Sequence, residues 1–228
     1  MTDLVKISGG VYTDHKHDSA TKHVTGQAEY CDDILEPIGT LHAYLGVSDV
    51  AHAIIKGMDL TAVKAMPGVV GVLTAKDIPG INDISPTGQN DEPVFPTDKI
   101  QFYGQPLFAV IATTRDIARR AAKLAVMSYD ILPHALDPIA AQDAGYPYVT
   151  APLKLERGDV LLAKKSTQNH IQGRIIIGGQ DHMYLEGQIA FAIPGEDDDL
   201  IVHCSTQHPS EAQHMVALVM GIPNNAVT

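Results

Sequence analysis

The segment Gly178-Gly179-Gln180-Asp181-His182 has the most unusual chemistry in the sequence. Two glycines straight after an Ile-rich run imply either a turn or bulge between strands, or a close approach of backbone to a bound molecule. The Gln180 side chain can offer a neutral amide to an oxygen atom without adding charge. Gly104-Gln105-Pro106 is of the same type and reads as a turn before a strand. The 11 histidines raise the question of a metal. His203, His208 and His214 fall in the last strand–helix region, but their spacing fits no standard zinc pattern and points to structural or surface roles. His15, His17 and His23 lie in a polar opening stretch, where metal binding would be adventitious. Cys31 and Cys204 are far apart and neither sits in a CxxC. A catalytic thiolate needs a basic or helix-N-terminal setting. Cys31 is followed by Asp32-Asp33, which works the other way, and Cys204 in its apolar run reads as core. There is no Walker loop, GxSxG, HExxH or GxGxxG.

The elements that must position these residues follow from periodicity. Met1 to Lys22 is polar and reads as an extended arm. Thr40–Val47 and Ala51–Lys56 read as strands, with Ser48-Asp49-Val50 as a hairpin turn between them. Asp59 is a candidate N-cap for a short helix, Leu60–Met66, stopped by Pro67-Gly68. Val69–Thr74 has the β-branched content of a buried strand. Ile78–Asp98 is rich in Pro, Gly, Asn and Asp and reads as a long loop. Leu107–Ala112 is a continuous apolar strand. Thr113 and Asp116 resemble a capping box. Ile117, Ala121, Leu124 and Ala125 then fall on one helical face. Val126–Tyr129 follows as a strand, which predicts a β-α-β unit with parallel neighbours. Beyond a Pro- and Gly-rich stretch, Ala135–Gly158, strands are predicted over Arg174–Ile177, Met183–Ile193 and Leu200–Ser205, with an acidic turn at Gly195–Asp199. Pro209 opens a final helix whose apolar face is Ala212, Met215, Val216 and Val219; Gly221 caps it. No internal repeat is visible.

Composition narrows the classes. At 228 residues and 45% apolar content the chain can bury a sizeable core. A net charge of −11 speaks against nucleic-acid binding. No apolar run is long enough for a helix to cross a bilayer, and Met1–Tyr12 lacks a signal-peptide core. Two distant cysteines suggest a cytoplasmic protein without a disulfide framework.

Several blocks then resemble one family. His17-Asp18-Ser19-Ala20, His23-Val24-Thr25-Gly26 and Tyr30-Cys31-Asp32-Asp33 look like the opening of the molybdenum-binding subunit of bacterial xanthine dehydrogenases. Met66-Pro67-Gly68-Val69-Val70, Leu73–Ile78, Gly104-Gln105-Pro106 and the Ala118–Ala125 helix continue the resemblance. Arg157-Gly158-Asp159-Val160, Gly178–His182, Tyr184-Leu185-Glu186 and Ser205-Thr206-Gln207-His208-Pro209 complete it, in family order.

The resemblance implies an α+β fold: a hammerhead-like α/β domain followed by the first, β-rich segment of a molybdopterin-binding domain. Its layout would be an arm over 1–22, the hammerhead over 23–133, a linker over 134–158, and the start of the cofactor domain over 159–228, truncated. It implies oxidation of xanthine or hypoxanthine at molybdenum, with a Glu as general base. Electrons would pass to iron–sulfur clusters and FAD on a partner subunit and on to NAD. Gln180 matches the family glutamine whose amide approaches the apical oxo ligand of molybdenum, near the metal but not bound to it. Gly179 would sit beside it at the cofactor. The general-base Glu and the family's glycine-rich GGGFGGKE-type segment are expected beyond Thr228, so this chain alone is expected to be inactive, to hold no cofactor and to form oligomers. Glu186 reads as structural and not as that base. The alternatives are an aldehyde or other heterocycle oxidoreductase of the same family, or a non-catalytic structural module.

Overall fold

A computed structural model describes residues 16–184 and 187–228. Met1–His15 of the arm, with His15, and Leu185-Glu186 lie outside the described residues. The elements run α1 (Ala20–Thr25), β1 (His42–Val47), β2 (Ala53–Asp59), α2 (Thr61–Ala65), β3 (Val69–Leu73), β4 (Lys99–Ile100), β5 (Pro106–Ala112), α3 (Arg115–Ala122), β6 (Val126–Ile131), α4 (Pro138–Asp143), α5 (Val160–Ser166), β7 (Ala190–Pro194), β8 (Leu200–Cys204) and α6 (Pro209–Met220). The fold is α+β, as expected. The chain divides into two compact units. One gathers the described residues of Met1–His42, Lys76–Val94 and Glu186–Thr228; the other those of Ala43–Ala75 and Phe95–Leu185.

The second of these units contains two three-stranded sheets, ordered β1-β5-β3 and β4-β2-β6. β5 lies between two strands, and Leu107, Phe108, Ala109, Val110 and Ala112 are all buried. A strand covered on both faces needs a continuous apolar run rather than alternation. Its core partners include Ile100, Val63, Ala53 and the face of α3 formed by Ala118, Ala121 and Ala122. Gly46 of β1 is buried, and a Cβ there would run into the Phe108 ring. The ring occupies the space left by the missing side chain.

Local chemistry fixes α3. Thr114 is the N-cap: its backbone is extended and its hydroxyl accepts from Ile117 N at 3.2 Å. The expected box between Thr113 and Asp116 does not form, because Asp116 faces the other way along the helix. It pairs with Arg119 at 2.7 Å and Arg120 at 3.7 Å, one turn on. The Arg119 hydrogen bond holds its carboxyl below the usual range. Asp59 ends β2 rather than capping α2 from the N-cap position; its Oδ1 still accepts from Thr61 N at 2.9 Å.

Several expectations about elements need correction. β1 and β2 are not hairpin partners. Ser48 N donates to Gln105 O and Ser48 O accepts from Gly104 N, both at 2.9 Å, so the turn is held by another loop and its flanking strands enter different sheets. β5 and β6 are not parallel neighbours. β5 pairs antiparallel with β3, and β6 antiparallel with β2. Arg174–Ile177 is not a strand, and among the described residues of Met183–Ile193 only those from Ala190 onward are. The arm does not stay extended to Lys22: α1 begins at Ala20, and Gly26, with φ +71°, closes it. Within the stretch read as linker, Asp137 caps α4 by accepting from Ile139 N and Ala140 N.

The other unit holds the hairpin β7–β8. Its turn closes through Gly195 N to Asp199 O at 2.6 Å, with Asp197 and Asp198 in the left-handed region that Asp tolerates. α6 starts at Pro209 and ends at Gly221, as its sequence predicts. A short 3-10 turn, Asn224–Ala226, then brings Val227-Thr228 beside β8. Leu200 and Val227 form a parallel bridge, and Thr228 N donates to Leu200 O at 2.9 Å.

Candidate functional site

Gln180 lies in a stretch between α5 and β7 in which no described residue belongs to a helix or strand. It is exposed, and it makes no hydrogen bond among the described residues. A Cβ built on Gly178 or Gly179 would meet nothing of this chain within 4 Å. Just beyond it, Asp181 Oδ1 lies 3.6 Å from His182 Nδ1, and the His182 and Tyr184 rings are 5.7 Å apart. The segment thus presents a neutral amide and unobstructed backbone. That donor set suits a ligand oxygen; it does not suit direct metal ligation.

Among the described residues no group of three or more His, Cys, Asp or Glu could hold a metal ion. His203 stacks on Phe191 across the hairpin at 6.1 Å. His208 N donates to the Thr206 hydroxyl, and His214 Nδ1 lies 3.3 Å from Asn224 Oδ1. His17 and His23 are neighbours with ring centroids 6.3 Å apart, and His23 Nδ1 is 3.3 Å from the Tyr30 hydroxyl. Cys31 is half-buried and its thiol donates to His203 O at 3.4 Å. Cys204 is exposed, not in the core, because it is the last residue of β8, at the open end of a two-stranded hairpin.

Gln105 settles as a structural residue. It is buried, and its Oε1 accepts from Gln101 N at 2.8 Å. Asp159, in the Arg-Gly-Asp-Val block, caps α5 by accepting from Leu162 N at 2.9 Å. The sequence reading missed Asp83 and Ser85, both buried inside the long Ile78–Asp98 loop. A polar pair spaced by two in a loop is a weak signal, and burial alone gives it away.

Comparison with known proteins places the chain. Residues 25–133 match the family model described as aldehyde oxidase and xanthine dehydrogenase, a/b hammerhead domain. Residues 143–228 match the molybdopterin cofactor-binding domain. A xanthine dehydrogenase of Dictyostelium discoideum is 38% identical over 214 residues, which is 93% of this chain and 15% of that protein. Aldehyde oxidase 3 of Rattus norvegicus is 35% identical over 93% of this chain and 16% of its own length. The solved structure of an aldehyde oxidoreductase from Desulfovibrio gigas superposes with a TM-score of 0.81, at 27% identity, over 92% of this chain and 25% of that one. The chain belongs to the xanthine dehydrogenase and aldehyde oxidase family of molybdenum oxidoreductases. It spans about one sixth of the length of the curated relatives it matches. No helix among the described residues is long and apolar enough to cross a membrane.

Proposed function

We propose that this chain is a section of a molybdenum hydroxylase that oxidises xanthine or hypoxanthine, and that Gln180 sets its side-chain amide beside an oxo group of molybdenum without ligating the metal. The observation that supports it most is the order of the two matched domains, 25–133 and then 143–228, with the glycine–glutamine segment inside the second. Bound molybdopterin–molybdenum supplies the oxygen transfer and the two-electron oxidation. The part of this chain is to bind and orient. An amide N–H from Gln180 steadies an oxygen that gains negative charge, and a neutral donor does so without placing a second ion in the site. Gly179, lacking a Cβ, lets backbone come up to the cofactor. No residue of this chain is assigned the role of general base.

The same reading sets out a hammerhead over 23–133 after an arm over 1–22, a linker over 134–158, and the opening of the cofactor domain over 159–228. Iron–sulfur clusters and FAD on a partner subunit, then NAD, accept the electrons in a cytoplasmic, oligomeric enzyme. A second reading, an aldehyde oxidoreductase, is favoured by the closeness of the aldehyde oxidase match, 35% against 38% for the xanthine dehydrogenase. Dye reduction by the enzyme that contains this chain, with xanthine and with an aldehyde side by side, separates the two. In that enzyme Gln180→Ala is expected to lower kcat by about 10²–10³-fold, with KM and molybdenum content little changed, because a donor to developing charge is lost. Unchanged kcat removes Gln180 from the site.

A further inference from the structure

We propose that Lys76–Val94, although within the hammerhead match, is a strap that helps build the cofactor-binding part of the chain. Gly80 and Ile81 are its positioning residues, fixing the carboxyl end of α6.

The last carbonyls of a helix have no partner inside it. At the end of α6, Ala217 O is taken by Ile222 N at 3.0 Å, within the local cap. Val219 O instead accepts from Gly80 N at 2.9 Å, and Leu218 O from Ile81 N at 3.0 Å as well as from Gly221 N at 3.3 Å. Two carbonyls of the helix are therefore closed by amides more than half the chain away in sequence. Gly80 is required there by space. A Cβ on it would collide with Leu218 O and stand 2.6 Å from Gly221 N and 2.9 Å from Val219 O. All three are backbone atoms of a capped helix end, which cannot swing aside as a side chain could.

The strap is also braced within itself. Asp83 and Ser85 are almost wholly buried, at 5% and 4% exposure. Ser85 Oγ donates to Asp83 Oδ2 at 2.6 Å, and Glu92 N donates to Asp83 Oδ1 at 3.3 Å. Asn90 N donates to Ser85 Oγ at 3.1 Å, and Ile84 N to Glu92 O at 2.8 Å. A buried carboxyl with its donors in place gives a loop one shape, since any other shape leaves it unsatisfied.

What α6 then fixes is the segment after it. Gln213 Nε2 donates to Val227 O at 2.6 Å. Thr228 N donates to Leu200 O, and Val202 N to Thr228 O at 2.7 Å. The strap thus acts on α6, α6 on Val227-Thr228, and that pair on the edge of β8. α6 and β8 fall within 143–228, the match to the cofactor-binding domain, and the strap falls outside it. The purpose given to this part rests on the molybdenum reading; the clamp itself does not, and its test measures the chain alone.

Amide hydrogen exchange on the 228-residue chain decides it. In the unmodified protein Gly80 and Ile81 amides should exchange as slowly as the amides of α6. In Gly80→Ala, the amides of Val202, Ile222 and Thr228 should lose protection by at least about tenfold, while those paired between β2 and β6 keep theirs. Gly71→Ala, where a Cβ meets nothing within 4 Å, serves as control and should leave Val202 and Thr228 protected. Fast exchange of Gly80 and Ile81 in the unmodified protein overturns the proposal. So does undiminished protection of Val202 and Thr228 in Gly80→Ala. If Gly80→Ala fails to fold anywhere, the exchange of Gly80 and Ile81 in the unmodified chain decides alone: slow exchange supports the strap, and fast exchange overturns it.

Discussion

Leu107–Ala112 and Arg174–Ile177 are both rich in β-forming residues, yet one is the buried centre of a sheet and the other is no strand at all. Leu107 and Val110 are fully buried, whereas Ile175, Ile176 and Ile177 are about 80% exposed. Composition does not separate them. What separates them is a place to pair. β5 has β1 on one side and β3 on the other, and α3 across one face. The isoleucine run has no strand beside it among the described residues. β propensity measures fit to a pleated, half-buried surface, and it has no effect where that surface is missing.

That contrast can be broken at either end. Leu107→Ala removes a fully buried side chain from the centre of the packed sheet and should cost about 2–5 kcal/mol, read as a lower urea midpoint. A smaller loss would mean that β5 is less tightly enclosed than its burial indicates. Tyr129 tests the same region by pH. Its hydroxyl is buried, and that burial, followed by the charge of Asp49, pushes its pKa up from 10.0 to about 12. The fold favours the neutral phenol, so this contribution to stability is complete below 10.0 and is lost as pH climbs towards about 12. Urea midpoints at about pH 9 and about pH 11 should fall further apart in the unmodified chain than in Tyr129→Phe. Equal gaps would show that the hydroxyl titrates freely. The smallest effect belongs to the exposed run. Ile176→Ser should change stability of the isolated chain by no more than about 0.5 kcal/mol. A loss like that of Leu107→Ala would show that the run is packed after all.

Much of the hammerhead part could be read from local pattern. The continuous run of β5 follows from burial on both faces, and the Gly221 cap of α6 from cap chemistry. α3 is found by its spacing, but its buried face is Ala118, Ala121 and Ala122, and Leu124 and Ala125 of the expected face lie beyond its end, Leu124 exposed. Sheet pairing could not be read that way. The Ser48–Val50 turn looks like a hairpin because the sequence carries turn residues, but Gln105 and Gly104 satisfy the backbone of Ser48 from a distance. β6 likewise prefers β2, some seventy residues earlier, to its neighbour β5, as its register with Ala53–Asp59 records. The candidate site was legible only through family resemblance. Gln180 is exposed, has no partner among the described residues and no strained backbone to mark it, so its described surroundings carry no signal. The strap shows the converse case, in which strong geometry, Gly80 against a helix end, sits in a stretch that reads as an undistinguished loop.

The clamp between Gly80 and Val219 also sets an order of events during synthesis. Its two halves are separated by more than half the chain, so the contact cannot form until α6 has left the ribosome. β5, α3 and the strands around them are complete long before that. The residues around Asp83 must therefore wait, with their polar groups in water, while the sheets on either side of them in sequence are already closed. Closing so long a loop is slow relative to local pairing. The two sheets formed by β1 to β6, with α3, should thus gain structure first, and the strap should be the last part to settle.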